Sequence, residues 1–425
     1  MIEGLLLLGV LLLLVLVGVP VAFAFGLAAL LVVLFVLELP LVIIAQQAGT
    51  GADSFTLLAI PLFLLAGALM NAGGITRRLV RFANVIVGWV TGGLGLVNVG
   101  VSIFFAGISG SAVADTSAVG KAMIPGMAQQ GYPRSFAAAV TAASSVVGPI
   151  IPPSIPIVVY AVASGLPIGT LFLAGIGPGL FFGAVLLTLT YLISRRRGFP
   201  RQPRISLKVA VKSFLDAVGA LVMPLIIVLG VVGGVFTVTE AAAAAAFYAL
   251  VLSTLVYREL KLRDLPRVLL EAGLSSAVIM FIIAVASLFG WVLVRSGFPR
   301  LLGDFLSGEA FNLILVLAMI NVMLLVFGLF VEGNAAIIIF TPLLLPTVTA
   351  LGVDPLHFGI IMVFNLMLGL ITPPVGMCLF VASEIAGVSV AKLSWALAPF
   401  LVAGILTLLV ITYRPPLTLY LPSLL

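Results

Sequence analysis

The sequence predicts an all-α polytopic membrane protein made of two inverted repeats, each with five crossings and one re-entrant hairpin. Three observations carry that expectation. Of 425 residues, 63% are hydrophobic and 8% charged, whereas a soluble domain has roughly 25% charged residues. The basic residues gather in three short segments. A set of short words recurs in the same order 219 to 223 residues further along. Such a composition, with a mean hydropathy of +1.38, excludes a soluble enzyme, a disordered chain and a nucleic-acid reader. At about 20 apolar residues per crossing, the length accommodates on the order of a dozen membrane helices.

Charge gives the orientation. Arg77, Arg78 and Arg81 form one group, and Arg195, Arg196, Arg197, Arg201, Arg204, Lys208 and Lys212 a second. Arg258, Lys261, Arg263 and Arg267 form the third, so that these groups hold 14 of the 20 basic residues. Cytoplasmic loops collect Lys and Arg, and all three segments are therefore assigned to the cytoplasm. The stretch 194–213, with Pro200 and Pro203, is linker-like. It separates a first repeat, 1–193, from a second, 214–425.

Several chemistries are set aside at once. The single cysteine, Cys378, forms no intrachain disulfide, and the single histidine, His357, builds no metal site alone. His357 follows Asp354-Pro355 at a loop-to-helix boundary, where a surface position is expected. Gly120-Lys121 is followed by Ala122, not by the hydroxyl residue of an ATP-binding loop. No basic region precedes the first apolar run, so a cleaved signal peptide is not expected.

The apolar stretches follow in order. Gly4–Val17 and Val21–Leu37 are crossings parted by Gly18-Val19-Pro20, and Thr56–Asn71 is the next. Ile75–Val90 alternates basic and apolar residues at helical spacing, which suits a helix lying in the interface plane. The stretch of about 92–131 is too long and glycine-rich for one helix. A single crossing there would also put Arg81 and Arg195 on opposite sides. It is read as a hairpin that turns back at Ser109-Gly110-Ser111, a backbone tolerated at depth only inside protein or beside a wet cavity. A helix broken by Pro149, Pro152, Pro153 and Pro156 covers about 135–164, and Thr170–Ile193 is a plain crossing.

The second repeat copies this order. Leu65-Ala66-Gly67 recurs as Leu288-Phe289-Gly290, Val97-Asn98-Val99 as Ile320-Asn321-Val322, and Gly110-Ser111 as Gly333-Asn334. Pro152-Pro153 recurs as Pro373-Pro374, and Pro178 as Pro399. A second hairpin is placed at about 311–350 and a second broken helix at about 355–386. Five crossings per half is an odd number, so the second copy is inserted upside down and both termini face the periplasm. Inverted repeats with helices broken near the midplane mark secondary transporters. The hairpins and broken helices are expected to move as one block against plain helices such as Gly4–Leu37 and Asp216–Tyr257.

Each motif has two uses. The tip Gly107-Ile108-Ser109-Gly110-Ser111 is either a turn whose carbonyls and hydroxyls approach an ion or a small-residue helix contact. The proline groups in Gly148–Ser154 and Thr372–Met377 either free carbonyls for a hard cation or simply kink their helices. Asp115, one turn past the tip, could stabilise a cation, hold a helix N-terminus or pair with Lys121, and Glu332 stands likewise in the second tip. Glu240, ahead of a run of six alanines, is expected to cap a helix. Gly107–Gly110 also spells the Gly-x-Ser-Gly of rhomboid-like intramembrane proteases, for which His357 would be the sole available base.

With these residues in view, the whole chain resembles the large membrane subunit of a tripartite ATP-independent periplasmic (TRAP) transporter, most strongly at Gly107–Pro125, Gly148–Ser154, Gly333–Pro346 and Thr372–Met377. The resemblance implies an elevator-type transport domain on a scaffold in the bacterial inner membrane, importing an organic acid such as a C4-dicarboxylate or sugar acid by sodium symport. It implies no enzyme activity and no cofactor beyond sodium as coupling ion. Its partners would be a small four-helix membrane subunit, a soluble periplasmic substrate-binding protein and membrane lipid. Carried over by position, Ser109, Ser111, Gly148, Ile151 and Pro153 would hold one sodium, and Gly333, Thr372, Gly376 and Met377 another. The substrate would lie near Asp115 and Asn334. The runner-up is a self-sufficient sodium–anion symporter of the same superfamily.

Overall fold

The structure, a computed structural model, describes residues 2–203, 206–306 and 312–424. Arg204 of the second basic group and position 311, where the second hairpin was expected to begin, lie outside them. Among the described residues every regular element is helical. Among the described residues seven helices are long and apolar enough to cross a membrane by length and composition.

The chain opens with α1 (Ile2–Leu16), α2 (Val21–Phe35) and α3 (Leu41–Ala52), then α4 (Ala59–Ala72) and α5 (Ile75–Val87). Pro20 and Pro40 stand just ahead of α2 and α3, where a missing N–H costs nothing. The sequence pattern did not count α3 as an element. It packs on the long helix α13 introduced below, and a side chain at Gly51 would collide with Ser287. In α5 the buried Ile75, Leu79 and Ala83 recur at i+4, while Arg77 and Arg81 point outward. That is the amphipathic stripe the sequence led us to expect.

Next come α6 (Gly93–Ser109), α7 (Ala112–Gln129), α8 (Arg134–Ser145), α9 (Ile155–Ser164) and α10 (Ile168–Arg197). Helices α6 and α7 form a hairpin: Asn98, near the start of α6, reaches Met127, near the end of α7. The second series runs α11 (Leu207–Val232), α12 (Val238–Val251), α13 (Leu265–Arg295), α14 (Phe298–Leu306) and α15 (Leu313–Gly328). It continues with α16 (Gly333–Ala350), α17 (Pro355–Gly369), α18 (Met377–Ala386), α19 (Val390–Tyr413) and the short α20 (Pro416–Leu419). Glu240 closes a capping box with Thr237 at the start of α12, its backbone N–H donating to the Thr237 hydroxyl at 3.3 Å.

The helices pack as two contiguous bodies that are joined along α13 and α16. Helix α4 lies against α12 and α13, and α13 lies against α2 and α3. The other body interleaves the two series: α9 packs on α16, and α18 packs on α7. Tyr160 of α9 fits against Gly359 of α17, and its hydroxyl donates to the Pro355 carbonyl at 2.8 Å. Helix α5 also touches both, packing on α6 and α11.

His357 departs from expectation. It is 3% exposed, with Nδ1 2.8 Å from the Thr418 hydroxyl and Nε2 3.1 Å from the Thr412 carbonyl. The loop-to-helix boundary is present, since Asp354 caps α17. But the C-terminal segment folds back over it, and no local pattern at residue 357 announces that.

Candidate functional site

The first hairpin tip is built by two helix ends. Ser109 closes α6, Ser111 caps α7, and Gly110 between them takes φ 59°, a left-handed conformation that suits glycine. A side chain on Gly110 would stand 2.7 Å from the Pro153 carbonyl oxygen, so the tip is pressed onto the broken helix. The Ser109 hydroxyl donates to one oxygen of Asp115 and accepts from the Ser111 amide at 3.2 Å. Asp115 is fully buried, and its second oxygen has no partner. That oxygen faces Gly148, where a side chain would collide with it. Neither Lys121 nor the N-terminus of α7 engages Asp115: Lys121 is exposed, and Ser111 is the cap.

The first break, 146–154, supplies backbone. The Ser154 hydroxyl donates to the Pro149 carbonyl and accepts from the Ile157 amide, fixing where α9 begins. Among the described residues no amide donates to the carbonyls of Gly148, Ile151 or Pro153. The Pro153 carbonyl, which stands against Gly110, and the Ser109 and Ser111 hydroxyls of the tip are oxygen donors of the kind a hard cation takes. Small-residue packing operates alongside: Gly107 abuts Pro224 of α11, and Gly67 of α4 lies against Ser109.

The second tip is organised differently. Glu332 caps α16 by accepting from the Ala335 amide at 3.0 Å, and its other oxygen accepts from the Asn334 side chain at 2.7 Å. The Asn334 carbonyl oxygen is buried without a partner. Gly333 lets Met367 of α17 sit against the tip. In the second break the Gly376 amide donates to the Thr372 carbonyl at 3.2 Å, and the Gly376 carbonyl accepts from Leu379. The Thr372 hydroxyl donates to Leu368 at 2.7 Å. Carbonyls free in the first break are thus engaged in the second, and Met377 is half-exposed at the start of α18.

A cavity of about 330 Å³ joins the two tips. Gly110 and Ser111 line it with Pro149 from the first half, and Glu332, Asn334 and Met377 from the second. Helix α13 closes the side with Ser275, Val278 and Ile282. Asn334 therefore lines the cavity between the tips, whereas Asp115 stands behind the tip and does not line it. A larger vestibule of about 620 Å³ shares Ser275 and runs from Ser109 past Asn71 to Arg267 and Glu271. Ser275, Met367 and this vestibule were missed. Ser275-Ser276 inside the apolar run of α13 was the available signal.

Ser109 shares its bonds with Asp115 and Ser111, while His357 is bonded to Thr418 and Thr412. Among the described residues no serine–histidine dyad is formed.

Paired tips and broken helices around a shared cavity, in an otherwise apolar helical bundle, are the architecture of a polytopic membrane transport protein. The fold is shared with two solved structures. One is the YdaH transporter of Alcanivorax borkumensis, with a TM-score of 0.63 at 15% identity over 96% of this chain and 97% of that one. The other is MtrF of Neisseria gonorrhoeae, with 0.61 at 12% identity over 87% and 82%. The family profile described as "Tripartite ATP-independent periplasmic transporter, DctM component" matches residues 8–417, and the chain belongs to this family as a TRAP large membrane subunit. It is 41% identical over 380 residues to the sialic acid TRAP transporter large permease protein SiaM of Vibrio cholerae, covering 89% of each. It is 42% identical to the C4-dicarboxylate large permease protein DctM of Pseudomonas aeruginosa, over 88% of this chain and 87% of that one. Against the isethionate permease protein DctMQ of Oleidesulfovibrio alaskensis it is 42% identical and spans 62% of the relative's length.

Proposed function

We propose that this chain is the permease of a sodium-coupled importer of an organic acid anion in the bacterial inner membrane. The observation that carries the proposal is the cavity between the tips, to which Ser111 and Pro149 from the first half and Glu332 and Asn334 from the second contribute among apolar side chains. Isethionate, sialic acid and C4-dicarboxylates, the compounds in the relatives' names, are all small organic acid anions. Ser111 and Asn334 would hold such an anion. Ser109, Ser111, Gly148, Ile151 and Pro153 would bind one sodium, with the Asp115 carboxylate supporting it through Ser109. Gly333, Thr372, Gly376 and Met377 would bind a second once the Gly376 amide releases the Thr372 carbonyl. Two cations cancel a dianion before it enters a low-dielectric region, where unpaired charge is costly.

The exchange relation between α9 on α16 and α18 on α7 supports two repeats related by inversion. The hairpins would then be re-entrant, with both termini periplasmic. The body holding α6–α10 and α15–α19 would move as an elevator past α1–α4 and α11–α13. The tripartite family description implies two further components, assigned to a small four-helix membrane subunit and a soluble periplasmic binding protein. Uptake by vesicles containing the chain and both partners tests this. Accumulation should require an inward sodium gradient and the binding protein. Accumulation driven by a pH gradient in sodium-free medium would refute it.

A further inference from the structure

Away from the polar site lies a crevice of about 160 Å³ lined wholly by apolar side chains. Leu11 of α1, Phe25 of α2 and Phe289 of α13 make one wall. Phe327 of α15, with Phe340 and Leu343 of α16, makes the other. The rings pair within each wall: Phe25 meets Phe289 edge-to-face at 5.0 Å, and Phe327 meets Phe340 at 4.9 Å. The gap lies between these walls, which meet each other where α13 packs on α16. Helix α1 packs on α2 and α13, whereas α15 packs on α17. Leu8 and Met323, which also line the crevice, are partly buried. Leu5 and Leu12 beside Leu8, and Val322 and Val326 beside Met323, are exposed. On apolar helices such as these, the medium those exposed side chains meet is bilayer hydrocarbon.

We propose that this crevice seats the end of one acyl chain of a bilayer phospholipid. A cavity of about 150 Å³ lined by Leu, Ile and Phe stays dry and accepts a benzene-sized guest, so water is no competitor here. A tail gains no hydrophobic transfer on moving from bilayer to protein. It gains dispersion contact with walls that otherwise face a void. The site stands on the crevice alone; its effect on transport rests on the elevator reading above. One wall belongs to the helices read as fixed and the other to the hairpin read as moving. A seated tail fits this arrangement of the two and so favours it over others.

The test images the full chain in nanodiscs of phosphatidylglycerol and phosphatidylethanolamine brominated near the chain ends. Bromine scattering between Leu11 and Leu343 is expected, and its loss in Leu343→Phe, which fills the gap. Leu11→Phe fills it from the opposite wall and serves if the first variant folds poorly. Uptake by either filled variant should slow severalfold with an unchanged sodium requirement. Absence of bromine from the wild-type crevice, or a helix of the small membrane subunit found in it, overturns the site whatever the transport mechanism. Bromine present and displaced, with uptake unchanged, upholds the lipid site and overturns the assignment of its walls to fixed and moving parts.

Discussion

Asp115 and Gly148 face each other where the first hairpin meets the first broken helix. The carboxylate oxygen that Ser109 leaves free points at Gly148, leaving no room for a side chain there. Gly148→Ala should displace the carboxylate from behind the tip. We expect a rise of at least tenfold in the sodium concentration for half-maximal uptake, and a stability loss of about 1–3 kcal/mol from overpacking. A sodium titration of uptake alongside thermal unfolding checks both. An unchanged titration would detach Asp115 from coupling.

Ser111→Ala and Thr372→Ala probe the two sodium sets separately. Each should raise the half-saturating sodium concentration while leaving capture by the binding protein unchanged. Ser111 also caps α7, so its variant should lose about 1 kcal/mol as well. Thr372 caps nothing, and its variant should show the sodium effect nearly alone.

Arg78 ties the α4–α5 turn to the loop before α13. Its Nη1 bonds the Gly73 and Gly74 carbonyls at 3.2 Å and Glu259 at 2.7 Å, and its guanidinium lies 3.8 Å from the Tyr257 ring centre. Lysine cannot reproduce a planar fork that also stacks. Arg78→Lys should cost about 1–2 kcal/mol in thermal unfolding, because bonds to a charged group are lost. Arg77 bonds the same Glu259 from an exposed position, and Arg77→Ala should leave the unfolding midpoint nearly unchanged.

His357 holds the C-terminal segment onto α17. His357→Ala leaves buried partners unmet and should cost about 1–3 kcal/mol. Limited proteolysis should then cut after Tyr413 faster than in the parent chain. Equal cutting rates would show the histidine to be dispensable there.

Much of this was legible in the residues themselves. Glycine at 110 and serine at 109 and 111 mark a turn, and proline pairs mark breaks, because each acts on its own backbone. The words around Gly67 and Gly290 proved to be contact points: Gly67 lies against Ser109, and Gly290 faces Ile338 of α16. Long-range burial was not legible. His357 is covered by residues 55 to 61 positions away, and Ser275 reaches the cavity only because α13 happens to close its side. Nor did the sequence separate the two breaks, since Thr372 and Gly376 bond each other through backbone that any residue carries.

Orientation is open to a direct check. Ser206, exposed just ahead of α11, should face the cytoplasm. A cysteine there, in a Cys378→Ala background, should resist a membrane-impermeant thiol reagent in intact cells and react after lysis. Labelling before lysis would reverse the assigned topology.

Anion and sodium are proposed to meet between the two tips. The most direct measurement is a structure of the chain with its transported acid and saturating sodium. The anion is expected in the cavity between Ser111 and Asn334, with a sodium within reach of the Ser109 hydroxyl and the Pro153 carbonyl. An anion bound in the vestibule against Arg267 instead, or one bound between the tips equally well without sodium, would contradict it.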